Sequence, residues 1–281
     1  MSYVDDIFIS DLKEILNEDW EIDNRAKWND DLQTETKRII QVSHKYDLSK
    51  GFPINTLREI DYKKAIDEMI WIYIKLSNNI KELNSGIWNA WADEEGLVQK
   101  AYGHQIAQPT MGFESQIHYV LNEIKTNPTS RRIQMNMFNV KDQETKAKES
   151  LIECAFGTQF SVKNGKLHMT LTQRSGDFLT AAGSGGWNLV QYAALQHAIA
   201  NECGLDVGTL KHDIQDLHLY NKHPEQAQEM IRRYEELESL ESLELPILKI
   251  ADKTLFELTA EDFELVGYKH HGKIGKIEVA V

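Results

Sequence analysis

Apolar residues recur at helical spacing in three segments of the chain. Residues 61–79 and 113–128 place their hydrophobic side chains three or four positions apart, and Pro128 closes the second segment. Residues 187–205 are apolar on almost every side and end at Gly204, a residue type that often follows a helix. The pattern predicts two amphipathic helices and, later in the chain, a long and largely buried one.

Alternating apolar and polar residues predict strands between the second and third helices. Residues 131–140 alternate in this way. Residues 154–162 and 166–175 flank an Asn-Gly pair, which is the strongest short-range signal for a tight hairpin. Residues 207–223 are then interpreted as a strand with its exit loop. The middle of the chain is therefore predicted to contain a β-hairpin.

Length and charge restrict the class of protein. The chain has 281 residues, a formal charge of −13 and two cysteines. This length suits one sizeable core, and we expect a single domain over residues 1–281. Few cysteines, no apolar run of membrane-spanning length and no signal-like N-terminus predict a cytoplasmic protein without membrane association. The acidic balance argues against nucleic acid as the main partner, and the acidic run 235–244 is interpreted as a solvated helix face.

Cys154 stands where the first hairpin strand begins, and it is either an inert buried thiol or a nucleophile. The sequence Gln-Arg-Ser-Gly-Asp at residues 173–177 lies on the returning strand. It places a guanidinium, a hydroxyl and a carboxylate near the cysteine. The planar fork of Arg174 and the short donor of Ser175 match the oxygens of a phosphate.

Arg131 and Arg132 form a second basic feature. They are neighbours in a predicted strand, where successive side chains point to opposite faces. One of the two would face inward unless both serve an anion or an interface. The alternative that both arginines simply lie on the protein surface remains open.

An ordered series of motifs resembles the thymidylate synthase family. It runs from Ser-Arg-Arg at 130–132 through Cys154 and Gln-Arg-Ser at 173–175 to Trp-Asn at 187–188 and Asp-x-His-Leu-Tyr at 216–220. Similar segments lie upstream, around a glutamate before an apolar-aromatic run and around paired tryptophans, and downstream at the C-terminus. The similarity thus covers nearly the whole chain.

The resemblance implies a fold and a reaction. The fold is α+β, thymidylate synthase-like, with a twisted and mostly antiparallel sheet at a homodimer interface and helices on its other face. The reaction is reductive methylation of dUMP to dTMP, with 5,10-methylenetetrahydrofolate as co-substrate and no metal. A thiolate adds to C6 of uracil so that C5 becomes nucleophilic, and Cys154 stands at the family's position for this thiol. We expect Arg174 to help it ionise.

The resemblance also assigns the other site residues by position. Those implied in catalysis beside Cys154 are Glu68, Tyr102 and Asp177. Those implied in binding dUMP are Arg25, Arg131, Arg132, Gln173, Arg174, Ser175, Asn188, His218 and Tyr220. Those implied in binding folate are Arg58, Ile87, Trp88, Trp91, Leu151, Asp177 and Ala280. In this assignment the second subunit donates Arg131 and Arg132, and Asn188 selects uracil over cytosine through its amide.

The chain departs from the family pattern beside the cysteine and in the segment before Asn188, as well as at Gln215 and in the segment that follows Arg25. The family usually carries proline before the cysteine and often histidine after it, where this chain has Glu153 and Ala155. Strand alternation predicts that Glu153 faces away from Cys154, so that its charge does not oppose ionisation of the thiol. The segment 178–187 is longer than its family counterpart and rich in glycine, and we expect it to be flexible.

Two other functions remain open. In a pyrimidine hydroxymethylase of the same superfamily, acting on dUMP or dCMP, water rather than hydride captures the methylene group formed on C5. A flexible glycine-containing segment would favour that outcome. Trp88, Trp91 and Leu151 at the family positions, and a C-terminus at Val281 that resembles the family's covering tail, favour hydride transfer. A non-catalytic nucleotide or RNA binder is disfavoured by the intact cysteine and by the acidic charge.

Overall fold

The computed structural model describes residues 2–30, 32–142, 152–237 and 244–280. Among these residues the helices are α1 (Tyr3–Asn17), α2 (Tyr62–Tyr73), α3 (Gly103–Ile106), α4 (Gln116–Thr126), α5 (Trp187–Glu202) and α6 (Pro224–Leu237). The strands are β1 (Glu21–Ile22), β2 (Glu35–Asp47), β3 (Gln134–Asn136), β4 (Ala155–Lys163), β5 (Lys166–Gln173), β6 (Gly176–Asp177), β7 (Asp206–Tyr220), β8 (Ile247–Ile250) and β9 (Phe263–Val266). The α+β class predicted from the sequence is confirmed.

One twisted, open sheet organises the chain. Its strand order is β1-β2-β7-β5-β4-β3. Neighbours run antiparallel except β5 and β7, which are parallel, and the short β6 is also parallel to the end of β7. The mostly antiparallel character is thus confirmed. Because β5 and β7 are parallel, their carboxyl ends meet at the same edge of the sheet, where the polar motifs of both strands lie.

β4 and β5 form the predicted hairpin. The turn residues Asn164 and Gly165 have φ values of 52° and 72°. Two successive positive φ values are the mark of a type I′ turn, whose twist matches that of the paired strands. At the other end of the hairpin the register pairs Ala155 with Gln173. The turn therefore sets the residues just before β4 beside those just after β5.

α5 is buried on nearly all sides, as predicted, and packs against α2 and the sheet. Gly204, with φ of 65°, follows its C-cap. Gln196 lies inside this helix and donates from its amide to the carbonyl of Leu167 at 2.8 Å, which satisfies a polar group in an apolar layer. Trp71 and Tyr73 of α2 are fully buried, and such burial stabilises the fold by about 1.5–3 kcal/mol per side chain.

Two predicted elements are shorter than their sequence patterns. α2 ends at Tyr73, because Leu76 adopts a left-handed φ of 53° and Asn79 pairs with the distant Leu97. The predicted strand 131–140 keeps only Gln134–Asn136 in the ladder, since it forms the edge of the sheet beside β4. Its alternation is nevertheless present in the burial of Ile133, Met135 and Met137.

α6 begins the predicted acidic segment. Glu235 and Glu236 are exposed in its last turns, as expected for a solvated face, and residues 238–243 of that segment lie outside the described residues. Neither α6 nor any other helix in the described ranges is both long and apolar enough to span a bilayer.

Candidate active site

A cavity of about 420 Å³ opens at the edge of the sheet where β5 and β7 end. The residues named from the sequence that line it are Arg25, Arg58, Glu68, Ile87, Trp88, Trp91, Tyr102, Cys154, Gln173, Ser175, Asp177, Asn188, His218, Tyr220 and Ala280. The structure therefore brings together residues from both halves of the chain that are far apart in sequence.

The remaining named residues lie outside the lining. Arg174 contacts Cys154 but does not line the cavity itself. Arg131 and Arg132 are exposed and do not line this cavity, although the carbonyl of Arg132 accepts a 3.0 Å hydrogen bond from Tyr119. Leu151 lies outside the described residues.

Cys154 is held by Arg174 through several bonds. The backbone N–H of Arg174 donates to the carbonyl of Cys154 at 2.9 Å, and its Nη2 lies 3.6 Å from the thiol Sγ. The same guanidinium donates to the carbonyls of Glu153 at 3.0 Å and Ile152 at 2.7 Å. The hairpin register and these carbonyl bonds fix a cation against the sulfur.

Burial, rather than the cation, dominates the acidity of this thiol. Burial raises the pKa of Cys154, while Arg174 and Arg25 lower it and Glu153 raises it further. The expectation that Arg174 favours the thiolate is correct in sign, but desolvation exceeds it. A ligand anion or a proton acceptor near Cys154 therefore matters for forming the nucleophile.

Tyr102 and the segment around Cys154 are linked in both directions. The backbone N–H of Cys154 donates to the Tyr102 hydroxyl at 3.1 Å, and the backbone N–H of Tyr102 donates to Oε1 of Glu153 at 3.2 Å. Glu153 is fully buried, so it turns away from solvent toward the Tyr102 backbone. Glu153 and Cys154 both precede β4, so strand alternation does not govern them, and the charge of Glu153 raises the pKa of Cys154. The prediction that this charge would not oppose ionisation of the thiol is wrong.

Glu68 projects from the middle of α2 and is almost fully buried. Its Oε2 accepts a 2.9 Å hydrogen bond from the indole N–H of Trp187. Burial raises the pKa of Glu68 to about 7, while Trp187, Gln191 and Trp88 oppose that rise. A carboxyl group that titrates near neutral pH can both take and return a proton, which is the property that general acid–base catalysis requires.

Asn188 is held by two other amides. Its Oδ1 accepts from Nε2 of Gln173 at 3.1 Å, and its Nδ2 donates to Oε1 of Gln191 at 3.1 Å. Gln173 also donates to the carbonyl of Ser175 at 2.9 Å. These bonds fix which end of the Asn188 amide is oxygen and which is nitrogen, so the side chain offers the cavity one acceptor and one donor in a defined order.

Asp177 and Arg58 also line the cavity. Oδ1 of Asp177 accepts from the backbone N–H groups of Leu179 and Thr180 at 3.1 and 3.3 Å, which caps the short helical turn that follows. Oδ2 is buried and has no hydrogen-bond partner among the described residues. Arg58 is buried, donates to the Leu179 carbonyl, and has its pKa lowered to about 10 by burial.

His218 and Tyr220 lie two residues apart at the end of β7 and therefore face the same side. Their rings meet edge to face at 5.0 Å. Nδ1 of His218 is 2.9 Å from Oδ1 of Asp216, whose other oxygen accepts from Arg38 at 2.9 Å. This chain of contacts orients the imidazole toward the cavity.

The glycine-rich segment 178–186 is tightly packed. Ser184 donates to the carbonyl of Val4 at 2.9 Å and accepts from the hydroxyl of Tyr46 at 3.1 Å, and the carbonyl of Gly185 accepts from the N–H of Asn55 at 3.0 Å. Gly185 has φ of 71°, and a Cβ there would lie 2.3 Å from the Asn55 nitrogen. The expectation of a flexible segment is wrong, because these glycines permit a close approach of two backbones.

The C-terminal segment covers the cavity, and Ile277, Val279 and Ala280 contribute to its lining. Three side chains at α6 hold this segment by donating to its backbone carbonyls. The bonds join His223 to Glu278 at 2.8 Å, Gln226 to Lys276 at 3.0 Å, and Arg233 to His271, Gly272 and Lys273 at 2.9–3.1 Å. The tail is thus part of the site. Val281 lies outside the described residues.

Several lining residues were not identified from the sequence. These are Ile72, Tyr73, Ala155, Thr180, Ala181, Trp187, Gln191, Tyr192, Ile277 and Val279. Gln191 follows Asn188 by three positions on the same helix face, so helical spacing could have indicated it. Trp187 contacts Glu68 across 119 positions, and no local pattern indicates that contact. The described residues contain no cluster of three potential metal ligands.

Comparisons with known proteins agree with this geometry. A family model described as thymidylate synthase matches residues 6–281. A thymidylate synthase of Francisella philomiragia is 36% identical over 274 residues, covering 92% of this chain and 96% of that protein. The thymidylate synthase of Bacillus phage phi3T is 34% identical over the full length of both chains. The solved structure of thermostable thymidylate synthase A from Bacillus subtilis matches with a TM-score of 0.85, 32% identity and 99% coverage of each chain. The chain therefore belongs to the thymidylate synthase family of folate-dependent methyltransferases.

Proposed function

We propose that this protein converts dUMP to dTMP, with 5,10-methylenetetrahydrofolate as donor of the one-carbon unit and the hydride. The observation that carries the proposal is the thiol of Cys154, 3.6 Å from the Arg174 guanidinium, at a cavity that also contains Glu68 and Asn188. A nucleophile, an acid–base group and a pyrimidine-reading amide are the three functions that methylation of a uracil ring at C5 needs.

In this proposal Asn188 recognises the base. Uracil presents an acceptor at O4 beside a donor at N3, and the amide of Asn188 offers the matching donor and acceptor. Cytosine presents the opposite pair. Because Gln173 and Gln191 hold the amide, rotating it to suit cytosine would break both bonds.

The phosphate is assigned to the basic residues. Arg25 and Ser175 line the cavity, and the guanidinium of Arg174 contacts Cys154. We infer that Arg131 and Arg132 complete the phosphate site of a second subunit, since both are exposed and remote from their own cavity. The protein is then a homodimer with shared sites. His218 and Tyr220 are assigned to the sugar hydroxyl.

The folate is assigned to Ile87, Trp88 and Trp91, together with Arg58 and Ala280, all of which line the cavity. Ile87 is 42% exposed, so a flat ring system can cover it. Asp177 supplies a buried carboxylate oxygen that has no hydrogen-bond partner among the described residues, which suits a ring N–H donor. Leu151, also assigned to the folate from the sequence, lies outside the described residues.

The chain's own groups then perform the proton chemistry. Cys154 adds through sulfur to C6 of the ring, which places negative charge on O4 and makes C5 nucleophilic. Glu68, with its pKa near 7, assists proton movement at O4. Burial raises the pKa of Tyr102, so its neutral hydroxyl, beside Cys154, is assigned to orienting the water that removes the C5 proton. We assign the exclusion of water to the covering tail and the packed segment 178–186. Exclusion of water favours capture of the methylene group on C5 by hydride rather than by water.

Product analysis tests the proposal. The protein is incubated with 5,10-methylenetetrahydrofolate and either dUMP or dCMP, and the nucleotide product is identified by mass. We expect dTMP from dUMP, with one dihydrofolate formed per dTMP and a rise in ultraviolet absorbance. Formation of 5-hydroxymethyl-dUMP with tetrahydrofolate would instead identify a hydroxymethylase, and absence of any product would leave nucleotide binding without catalysis.

A further inference from the structure

The indole of Trp187 forms a direct bond to the proposed acid–base residue. Its Nε1 donates to Oε2 of Glu68 at 2.9 Å. Trp187 is the first residue of α5, and Glu68 lies in the middle of α2. We propose that Trp187 is a positioning residue that holds the carboxylate of Glu68 in one rotamer, and that the segment 178–186 places it there. This inference rests on the proposed function.

The start of α5 is fixed firmly enough for this role. The N–H of Gly186 donates to the carbonyl of Gly183 at 2.8 Å, and the carbonyl of Gly186 accepts from Val190 at 3.0 Å. A Cβ on Gly186 would lie 2.7 Å from the Gly183 oxygen, so only glycine fits without rearrangement. The segment that departs from the family pattern therefore delivers Trp187 to a defined place.

Glu68 requires such a partner because it is buried. A carboxylate without a donor in an apolar setting either takes up a proton or rotates toward water. The bond from Trp187 engages Oε2, and in the proposed mechanism the other oxygen, Oε1, serves the reacting groups. The N–H of Trp187 thus both orients the Glu68 carboxylate and stabilises its negative charge.

Other groups near Glu68 also act on its charge. Asp67, its neighbour on α2, raises the pKa of Glu68, whereas the side chains of Trp88 and Gln191 lower it. Tyr192 of α5 interacts with the charge of Glu68. The other titratable groups that line the same cavity are Arg25, Arg58, Tyr73, Tyr102, Cys154, Asp177, His218 and Tyr220. Trp187 forms a 2.9 Å hydrogen bond to Oε2 of the carboxylate, and among the hydrogen-bonding side chains it lowers the pKa of Glu68 most.

The test removes the N–H and keeps the ring. In Trp187→Phe, and in a second variant with the isosteric benzothienylalanine at this position, the donor is lost. An N–H donor favours the charged carboxylate, so its loss raises the pKa of Glu68. We expect the acidic limb of the kcat profile to move up by about one pH unit. Turnover then falls about tenfold at pH 6.5 and changes little at pH 9.

A second readout does not depend on turnover. The carboxyl stretch of Glu68, assigned by its loss in Glu68→Gln, is followed by difference infrared spectroscopy against pH in the free protein. An upward shift of its midpoint in both variants supports the positioning role. An unchanged midpoint in the isosteric variant overturns it, whether or not the Phe variant folds. Failure of the unaltered protein to form dTMP would refute the proposed function, and the infrared titration would still decide the role of Trp187.

A matched control makes the same chemical change elsewhere. Trp71 is fully buried on α2, and its Nε1 donates to the carbonyl of Asn79 at 2.9 Å outside the cavity. Trp71→Phe should lower the melting temperature and leave both the pH profile and the Glu68 midpoint unchanged. If it shifts the midpoint as much as Trp187→Phe does, general loosening of α2 explains the effect and the proposal fails.

Discussion

Gln173 donates from Nε2 to Oδ1 of Asn188 at 3.1 Å, while its own Oε1 lies 2.8 Å from Nε2 of His212. His212 is buried, and burial lowers its pKa to about 3, so it is neutral at physiological pH. Because the Gln173 oxygen only accepts, Nε2 of His212 carries the proton. The orientation of the Asn188 amide is thus set through Gln173 by His212, which lies in the middle of β7.

Asn188→Asp should relax the choice between uracil and cytosine. A protonated carboxyl can donate to N3 of cytosine and a carboxylate can accept from its amino group, whereas the amide held by Gln173 can do neither. We expect the ratio of kcat/KM for dUMP over dCMP to fall by about 10- to 100-fold. An unchanged ratio in steady-state assays with both nucleotides would place base recognition elsewhere in the cavity.

Cys154→Ser should abolish turnover and retain nucleotide binding. A serine hydroxyl does not ionise at neutral pH, so addition to C6 fails and kcat falls by about 10³-fold or more. Calorimetry with dUMP should show affinity close to that of the unaltered protein. Cys203→Ser is the matched control, because Cys203 caps the end of α5 and does not line the cavity. Retained turnover in Cys154→Ser would remove this thiol from the mechanism.

Mixing two inactive variants tests the shared site. A double variant Arg131→Ala/Arg132→Ala lacks the donated phosphate contacts, and Cys154→Ser lacks the nucleophile. If subunits exchange, a heterodimer contains one site with every residue intact, so activity should recover to about a quarter of the unaltered level at equal mixing. Absence of recovery, once exchange is verified by native mass spectrometry, would show that each chain uses its own residues.

Trp88→Gly should divert the reaction toward the hydroxymethyl product. Trp88 lines the cavity and lies 5.0 Å from the ring of Tyr102, so its removal opens space for water beside C5. The ratio of 5-hydroxymethyl-dUMP to dTMP should rise at least about tenfold, which corresponds to a barrier difference of about 1.4 kcal/mol. Trp20→Gly, at an exposed position outside the cavity, should leave the ratio unchanged.

His197 should contribute to loss of stability in acid. Its Nε2 is buried without a hydrogen-bond partner among the described residues, and burial lowers its pKa from 6.5 to about 4. Between these values the unfolded chain binds a proton that the folded chain does not. The free energy of unfolding therefore falls as pH drops through this window, by up to about 1.4 kcal/mol per unit.

His197→Phe removes this proton uptake. The ring of His197 lies 5.9 Å from that of Phe52, so an aromatic replacement keeps the packing. In urea unfolding, the variant should lose less stability than the unaltered protein between pH 6.5 and pH 5, and His212 would supply part of the slope that remains. His271→Asn, at an exposed position, should not change the slope. Equal slopes in His197→Phe and the unaltered protein would contradict the assignment.

Local signals account for the parts of the fold that were predictable. The Asn164-Gly165 turn and Gly204 specify backbone conformations that few other residues adopt, so the hairpin and the end of α5 follow from them. β2 was not predicted, because the adjacent residues Ile39 and Ile40 break the alternation of its sequence. In the structure Gln41 follows them with φ of 59° and interrupts the strand. Its pattern is therefore set by pairing with β7 rather than by its own alternation.

In the candidate site, too, local sequence indicates some residues, whereas tertiary packing determines others. Residues inside recognisable motifs, such as Asn188 and Tyr220, were placed at the cavity by their positions alone. The bond from Trp187 to Glu68 depends on how α5 docks against α2, which no short stretch of sequence encodes. The glycines near Gly185 were misjudged, because glycine content alone does not distinguish a mobile loop from a backbone packed closely against another.

The way the C-terminal tail is held has a consequence for how this sequence can diverge. His223, Gln226 and Arg233 bond to carbonyl groups, and every residue type carries a carbonyl. Tail positions that only present this atom can accumulate substitutions without loosening the cover. A change at any of the three donors removes a bond that no tail substitution restores. Genetic drift should therefore be tolerated in the solvent-facing tail positions and selected against at the donors, although none of the three donors lines the cavity.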